Sequence, residues 1–235
     1  MTRALAALAV VAALAVVAGA GPAQATNECR GLQVCVRVAG PWVVVPAGLQ
    51  QPRSPVDFRL SCPRSYVIGG LDAELTDRTI DVAFSGTLGS PVGPGVTTSR
   101  SALFRASFTG AASRGSSFRP HLGCLPTAGG GAGPVPFRLA AFPPGEPTIQ
   151  RVRTVRLRPG STIAAVACAS GERLLSGWHA VGFYTRQAPS LSIIRSVRAT
   201  RALRERRVEV RVTSAAAVGT VRAIVQIGAV CGGGS

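Results

Sequence analysis

Short runs of alternating apolar and polar residues recur along the chain and predict β-strands. Apolar side chains occupy every second position in residues 56–62, 102–108, 118–124 and 208–212, and again in much of 221–231. Strand side chains alternate between the two faces of a sheet, so each run places one face in a core. The 28 glycines and 17 prolines favour many turns between short strands. We therefore predict an all-β fold of the sandwich type.

The spacing of the cysteines predicts two similar modules, each closed by a disulfide. Cys62 and Cys168 lie 106 residues apart, and Cys124 and Cys231 lie 107 residues apart. Strand parity turns these cysteines inward with the core residues, so each module holds two cysteines that can bond to each other. We predict the pairs Cys62–Cys124 and Cys168–Cys231. The two remaining cysteines would close a small N-terminal loop as Cys29–Cys35.

The sequence around these cysteines supports the repeat and divides the chain. The matching segments are Cys62-Pro-Arg-Ser-Tyr-Val-Ile-Gly-Gly and Cys168-Ala-Ser-Gly-Glu-Arg-Leu-Leu-Ser-Gly-Trp. Upstream of each, a short strand ends at a proline-glycine turn, at residues 43–48 and 155–160. We predict five parts: a signal peptide over 1–25, a disulfide loop over 26–40, β module 1 over 41–125, a Gly/Pro-rich linker over 126–149, and β module 2 over 150–235.

These short motifs resemble those of uncharacterised exported proteins from GC-rich bacteria. The resemblance rests on the Cys62-Pro…Gly69-Gly70 segment, on the apolar strand that closes on a cysteine, and on the start Cys29-Arg-Gly-Leu-Gln-Val-Cys35. The second module departs from the pattern, with Ala169 in place of the proline and Trp178 in place of the second glycine. The resemblance implies tandem disulfide-closed β modules and brings no activity with it.

The first residues carry the features of an export signal. Arg3 provides a positive charge, residues 4–18 are Ala, Leu and Val throughout, and Ala23-Gln24-Ala25 matches the small-residue rule for cleavage. The apolar run is shorter than the roughly 20 residues that a transmembrane helix needs. We therefore expect Thr26 to begin a secreted, extracellular chain without a transmembrane segment.

The chain is strongly basic, and its basic residues concentrate in one segment. The formal net charge is +16, and every one of the 26 basic side chains is arginine. Seven of them fall within seventeen residues, at Arg195, Arg198, Arg201, Arg204, Arg206, Arg207 and Arg211. Arginine forms bidentate contacts with phosphate and carboxylate groups, so this segment is a candidate anion-binding site. The alternative is a solvated loop in an arginine-biased sequence. No aromatic residue follows Tyr184 to stack on bases, so nucleic acid is not an expected partner.

The search for catalytic or metal-binding residues gives one further candidate. Asp72, Glu74, Asp77 and Asp81 are clustered, and paired carboxylates can act as acid and base in glycoside hydrolysis or can bind calcium. The alternative is a polar loop and strand edge with Arg78 as counter-charge. The only histidines, His121 and His179, lie in different modules and are interpreted as surface or rim residues. We predict no cofactor and no metal.

Together these features predict a secreted, non-enzymatic structural or binding protein, attached electrostatically to anionic polymers of the cell envelope. The alternative function is an exported hydrolase that uses the Asp72–Asp81 carboxylates.

Overall fold

The strands alternate with short turns, as the sequence pattern predicts. The computed structural model describes residues 28–30, 34–49, 53–86, 100–111, 115–126 and 148–233. The predicted signal peptide lies outside these residues, as does nearly all of the predicted linker. The strands are β1 (Val36–Ala39), β2 (Trp42–Val44), β3 (Val56–Ser61), β4 (Tyr66–Leu75), β5 (Ile80–Gly86), β6 (Ser101–Phe108), β7 (Ser117–Pro126), β8 (Ile149–Arg156), β9 (Gly160–Ala167), β10 (Arg173–Tyr184), β11 (Val197–Arg204), β12 (Arg207–Ser214) and β13 (Arg222–Gly232).

The strands form three sheets, which confirms the all-β prediction. The central sheet has seven strands in the order β1-β7-β2-β10-β13-β8, with β4 on the other edge of β7. The first outer sheet is β3-β6-β5, and the second outer sheet is β11-β12-β9. A five-residue helix, α1 (Leu191–Arg195), precedes β11, and a 3-10 helix (Ala216–Thr220) precedes β13.

The strands before and after the linker pair in the same order. In the first half β2 and β4 flank β7, and in the second half β8 and β10 flank β13. The agreement extends to single bonds: the Val45 amide donates to the Ser116 carbonyl at 2.9 Å, and the Leu157 amide donates to the Ala223 carbonyl at the same distance. Both β4 and β10 also carry a register irregularity near their starts.

The three disulfides connect the predicted cysteines. Cys62 bonds to Cys124, Cys168 bonds to Cys231, and Cys29 bonds to Cys35. The first two bridges are buried in two separate apolar clusters, one beneath each outer sheet. Strand parity therefore identified the inward direction of these cysteines correctly.

The two outer sheets lie on opposite faces of the central sheet. Along β13, Val225, Ile227 and Ala229 belong to the cluster under the second outer sheet. Ile224 belongs to the cluster under the first outer sheet, together with Ala180 of β10. Because neighbouring residues of a strand point to opposite faces, the central sheet separates the two clusters. The molecule is therefore layered, with the central sheet in the middle.

Two sets of hydrogen bonds join the halves. Strand β2 pairs with β10 through Val43 and Gly182, so the central sheet runs through both halves. The Gln226 side chain of β13 also binds the backbone of Arg59 on β3: its oxygen accepts from the amide at 2.6 Å, and its nitrogen donates to the carbonyl at 3.0 Å. The proposed boundaries 41–125 and 150–235 stay predictions, but these residue ranges share a sheet.

Candidate functional site

The candidate anion-binding arginines lie around the hairpin of β11 and β12. Arg195 ends helix α1, and Arg206 lies in the two-residue turn between the strands. Arg201 lies on the face of β11 that is turned toward β10, and its guanidinium donates to the Gly177 carbonyl. The other four side chains share the outer face of the hairpin: Arg198, Arg204, Arg207 and Arg211. We call these four residues the arginine face.

The hairpin register explains why these four residues meet. Arg198 and Arg204 are an even number of positions apart on β11, as are Arg207 and Arg211 on β12, so each pair shares a face. Arg204 lies directly opposite Arg207, and both point away from the buried Val208, Val210 and Val212. In the sequence the arginines recur mainly every three residues, a spacing that alternates between the two faces of a strand. Their shared face becomes apparent only when the position of the turn is known.

Only one acidic side chain lies among the described residues of this outer face. Glu209 pairs with Arg207 at 3.3 Å. At the hairpin tip, Arg204, Arg206 and Arg207 border an open hollow of about 410 Å³, which Glu205 also lines. The outer positions of the neighbouring β9 contribute Ser161, Ile163, Ala165 and Ala167, which carry no charge. The face therefore keeps a clear excess of positive charge.

Arg206 has a structural role that the sequence does not reveal by itself. Its guanidinium donates to the Cys168 carbonyl at 3.3 Å. In the first half the Arg100 guanidinium donates to the Cys62 carbonyl at 3.1 Å. The same bond therefore supports the segment beside each disulfide. Each arginine directly precedes the central strand of its outer sheet, and this shared position in the sequence could have identified the pair. Arg206 and Arg201 thus belong to the fold, whereas the arginine face projects into solvent.

The acidic segment is divided among three elements. Asp72 and Glu74 lie on β4 of the central sheet, Asp81 lies on β5 of the first outer sheet, and Asp77 lies in the turn between them. The Asp77 side chain accepts hydrogen bonds from the Thr79 hydroxyl at 2.7 Å and the Thr79 amide at 2.9 Å, and these bonds lower its pKa. The Asp72 side chain accepts from the Ala73 amide. These contacts favour the polar strand edge over an acid-base pair.

His121 is buried, which corrects its interpretation as a surface residue. The segment around Glu28 covers the outer face of β4 and β7, so the His121 side chain is only 8% exposed. Its Nδ1 lies 3.7 Å from the Glu28 carboxylate, and its Nε2 lies 3.3 Å from that of Glu74. Gly70 and Gly123 permit this cover, because a Cβ at either position would collide with the Glu28 backbone. Strand parity located the outer face but could not show that a distant segment packs on it.

His179 lies beside a cavity where the two halves meet. The cavity has a volume of about 320 Å³, and its walls include Pro46 and Pro55 from the first half and Val197 and Arg201 from the second. His179 is partly buried, and its Nδ1 is buried without a hydrogen-bond partner among the described residues. Burial, and then the positive charge of Arg201, lowers the pKa of His179. The imidazole is therefore neutral at neutral pH.

Potential metal ligands come close together at one place among the described residues. The one close group of potential ligands is Cys168, Glu172 and Cys231, in which both sulfurs are committed to a disulfide. The Glu172 carboxylate receives two hydrogen bonds from the Arg151 guanidinium, at 2.6 and 3.0 Å, and these bonds lower its pKa. In the described part of the chain, no helix has the length and apolarity needed to cross a membrane.

The chain was compared with known protein families, proteins and structures. No protein-family model, curated protein or solved structure matches the chain. The resemblance to exported proteins of GC-rich bacteria therefore stays a prediction.

Proposed function

We propose that this chain is an exported, non-enzymatic binding protein whose arginine face attaches to anionic polymers of the cell envelope. The proposal includes a cleaved signal peptide over residues 1–25 and an origin of the two halves from one repeated module. The three disulfides support an oxidising destination, because such bonds persist mainly in exported proteins.

The observation that carries the proposal is the shared direction of the four arginine side chains. Arg198, Arg204, Arg207 and Arg211 project from one face of the hairpin, on which Glu209 is the one acidic side chain among the described residues. Guanidinium groups bind phosphate and carboxylate through two parallel hydrogen bonds, which suits both common kinds of envelope anion. The valines on the opposite face anchor the hairpin in the core, so binding requires little ordering of the backbone.

The dimensions of the face suit a polymer better than a single small ion. Arg198 and Arg204 are separated by six strand positions, which is about 20 Å along β11. Arg207 and Arg211 on the neighbouring strand are about 13 Å apart by the same geometry. A chain with repeated anionic groups can contact several of these side chains together, which raises its affinity through effective concentration. The absence of aromatic residues on this segment argues against a ligand that needs base stacking.

The proposal is tested by removing the charge of the arginine face without disturbing its strands. We would change Arg198, Arg204, Arg207 and Arg211 to Gln and measure sedimentation with purified cell-wall material over a range of salt concentrations. We expect the unaltered protein to bind strongly at low salt and to dissociate as salt screens the charges. The variant should bind at least about tenfold more weakly.

A matched control separates the arginine face from net charge. Changing the exposed Arg64, Arg158, Arg173 and Arg186 to Gln removes the same number of charges elsewhere. We expect this control to keep most of the binding, because its hairpin is intact. Equal losses in the two variants, or binding that ignores salt, would contradict the proposal. The hydrolase alternative lacks comparable support, because the Asp72–Asp81 carboxylates occupy three elements, and Asp72 and Asp77 accept hydrogen bonds from neighbouring residues.

A further inference from the structure

The cavity at the junction of the halves begins where β2 separates from β10. Strand β2 pairs with β10 only at Trp42 and Val43. The next residues follow the other neighbour, since the Val45 amide donates to the Ser116 carbonyl before β7. No described strand pairs with this edge of β10 before Gly182. A gap therefore opens beside residues 178–181, and it is the cavity of about 320 Å³.

The open edge of β10 presents backbone hydrogen-bonding groups to the cavity. The Ala223 carbonyl of β13 accepts from Leu157 and so points toward β8, and by alternation Ala229 points the same way. Gly177 lies opposite Ala229 on β10, so its carbonyl is directed away from β13, and there it accepts from Arg201. In an antiparallel strand, successive residues direct their amide and carbonyl groups to opposite edges. The backbone groups of His179 and Val181 consequently point to the same open edge as those of Gly177. Such an edge pairs readily with an added extended segment.

The side chains around this edge determine what kind of segment fits. On one side the wall consists of Pro46, Pro55 and Val56, and on the other it includes Val197 and Ala199. Side chains of an added strand would alternate between these two apolar walls. Ser54, His179 and Arg201 supply the polar part of the lining.

The direction of β2 determines which end of the segment meets Arg201. Strand β2 is antiparallel to β10, so a segment that continues its direction runs from Val181 toward Gly177. Its C-terminal end then arrives beside Arg201, which is bound to the Gly177 carbonyl and lines the cavity. A carboxylate is attracted there, whereas the ammonium group of a parallel segment would be repelled.

We propose that the junction cavity is a peptide-binding site, which takes a short apolar peptide as an added antiparallel strand with its free C-terminal carboxylate at Arg201. This site is separate from the arginine face, whose four side chains project from the opposite side of the β11–β12 hairpin.

The probe is the synthetic peptide acetyl-Val-Ala-Val-Ala with a free C-terminal carboxylate, compared with the same peptide as a C-terminal amide. We would measure affinity by calorimetry and locate the site by amide chemical shifts in the full protein. We expect the acid to bind at least about tenfold more tightly than the amide, with shifts at His179 and Val181. In Arg201→Gln this preference should disappear.

A second pair of variants tests the cavity without altering charge. Ala199→Phe fills the cavity from β11 and should abolish binding, whereas Ala202→Phe lies on the outer face of the same strand and should leave it unchanged. The four-arginine variant should also bind the peptide normally. Absence of binding at millimolar peptide, equal affinity of acid and amide, or shifts confined to the four residues of the arginine face would overturn the proposal.

Discussion

The two outer sheets share one pattern of strand pairing but differ in the charges at the strand positions opposite their core-facing residues. In the first outer sheet, Asp57 on β3 lies opposite Arg105 on β6 and accepts two hydrogen bonds from its guanidinium, each of 2.7 Å. These bonds raise the pKa of Arg105. In the second outer sheet, four arginines face one glutamate.

This difference shows which residues of an outer sheet the fold requires and which are free to serve binding. Both sheets bury alternate apolar residues against the central sheet, and both are linked to it by a disulfide. The outward positions do not contribute to these cores, so their chemistry can differ without changing the pairing. The outward side of the second outer sheet can therefore carry binding chemistry that the fold itself does not require.

The largest expected effect comes from removing one disulfide at a time. The bridges Cys62–Cys124 and Cys168–Cys231 close loops of 62 and 63 residues. Replacing either pair with Ala should lower the free energy of unfolding by about 4 kcal/mol, because loops of similar length constrain the unfolded chain equally. Urea denaturation measures the loss. Since the central sheet spans both halves, we expect one transition to shift in each case, and two separate transitions would contradict this expectation.

The next effect tests the contact between the halves. Gln226→Leu leaves the backbone amide and carbonyl of Arg59 without their side-chain partner, which should cost about 1–3 kcal/mol in the free energy of unfolding. Thermal unfolding of Gln187→Leu, an exposed glutamine outside the strands, provides the control. Equal stability of the two variants would show that the Gln226 bonds contribute nothing to joining the halves.

A smaller effect is expected from altering the charge balance of each outer sheet. Glu209→Gln removes the acidic neighbour of Arg207 and should strengthen binding to anionic cell-wall polymer by up to about fivefold, the range of a surface ion pair. Asp57→Asn removes the carboxylate partner of Arg105 on the first outer sheet. If binding depends on the arginine face, Asp57→Asn should leave it nearly unchanged in the same sedimentation measurement. An equal gain in affinity in both variants would indicate that binding depends on the overall charge of the protein and not on the arginine face.

The smallest effect concerns pH. Burial and Arg201 lower the pKa of His179 below its ordinary value of 6.5, so the unfolded chain takes up the proton more readily than the folded chain. His179 therefore contributes stability above pH 6.5 that is lost as pH falls through the lowered pKa. Denaturation of His179→Gln over this pH window should show a weaker loss of stability on acidification. If the variant loses as much stability on acidification as the unaltered protein, His179 is not the group responsible.

Alternation along the strands predicted the all-β fold, and together with the repeat spacing of the cysteines it predicted the pairing of the core cysteines. Inward and outward positions are determined locally, because strand geometry has a period of two. Cys62, Cys124, Cys168 and Cys231 are buried as that period requires. The apolar residues around them supply the burial that holds each outer sheet in place.

The roles of individual polar residues depended on contacts between distant segments. His121 occupies an outward position on β7, yet the segment around Glu28 covers it. Among the arginines, Arg201 and Arg206 bind backbone carbonyls, whereas Arg198 and Arg211 project from the outer face. Local periodicity tells which face a side chain occupies, but only tertiary packing decides whether another element lies over that face. For the same reason the junction cavity, formed where β2 leaves β10, has no counterpart in any single stretch of sequence.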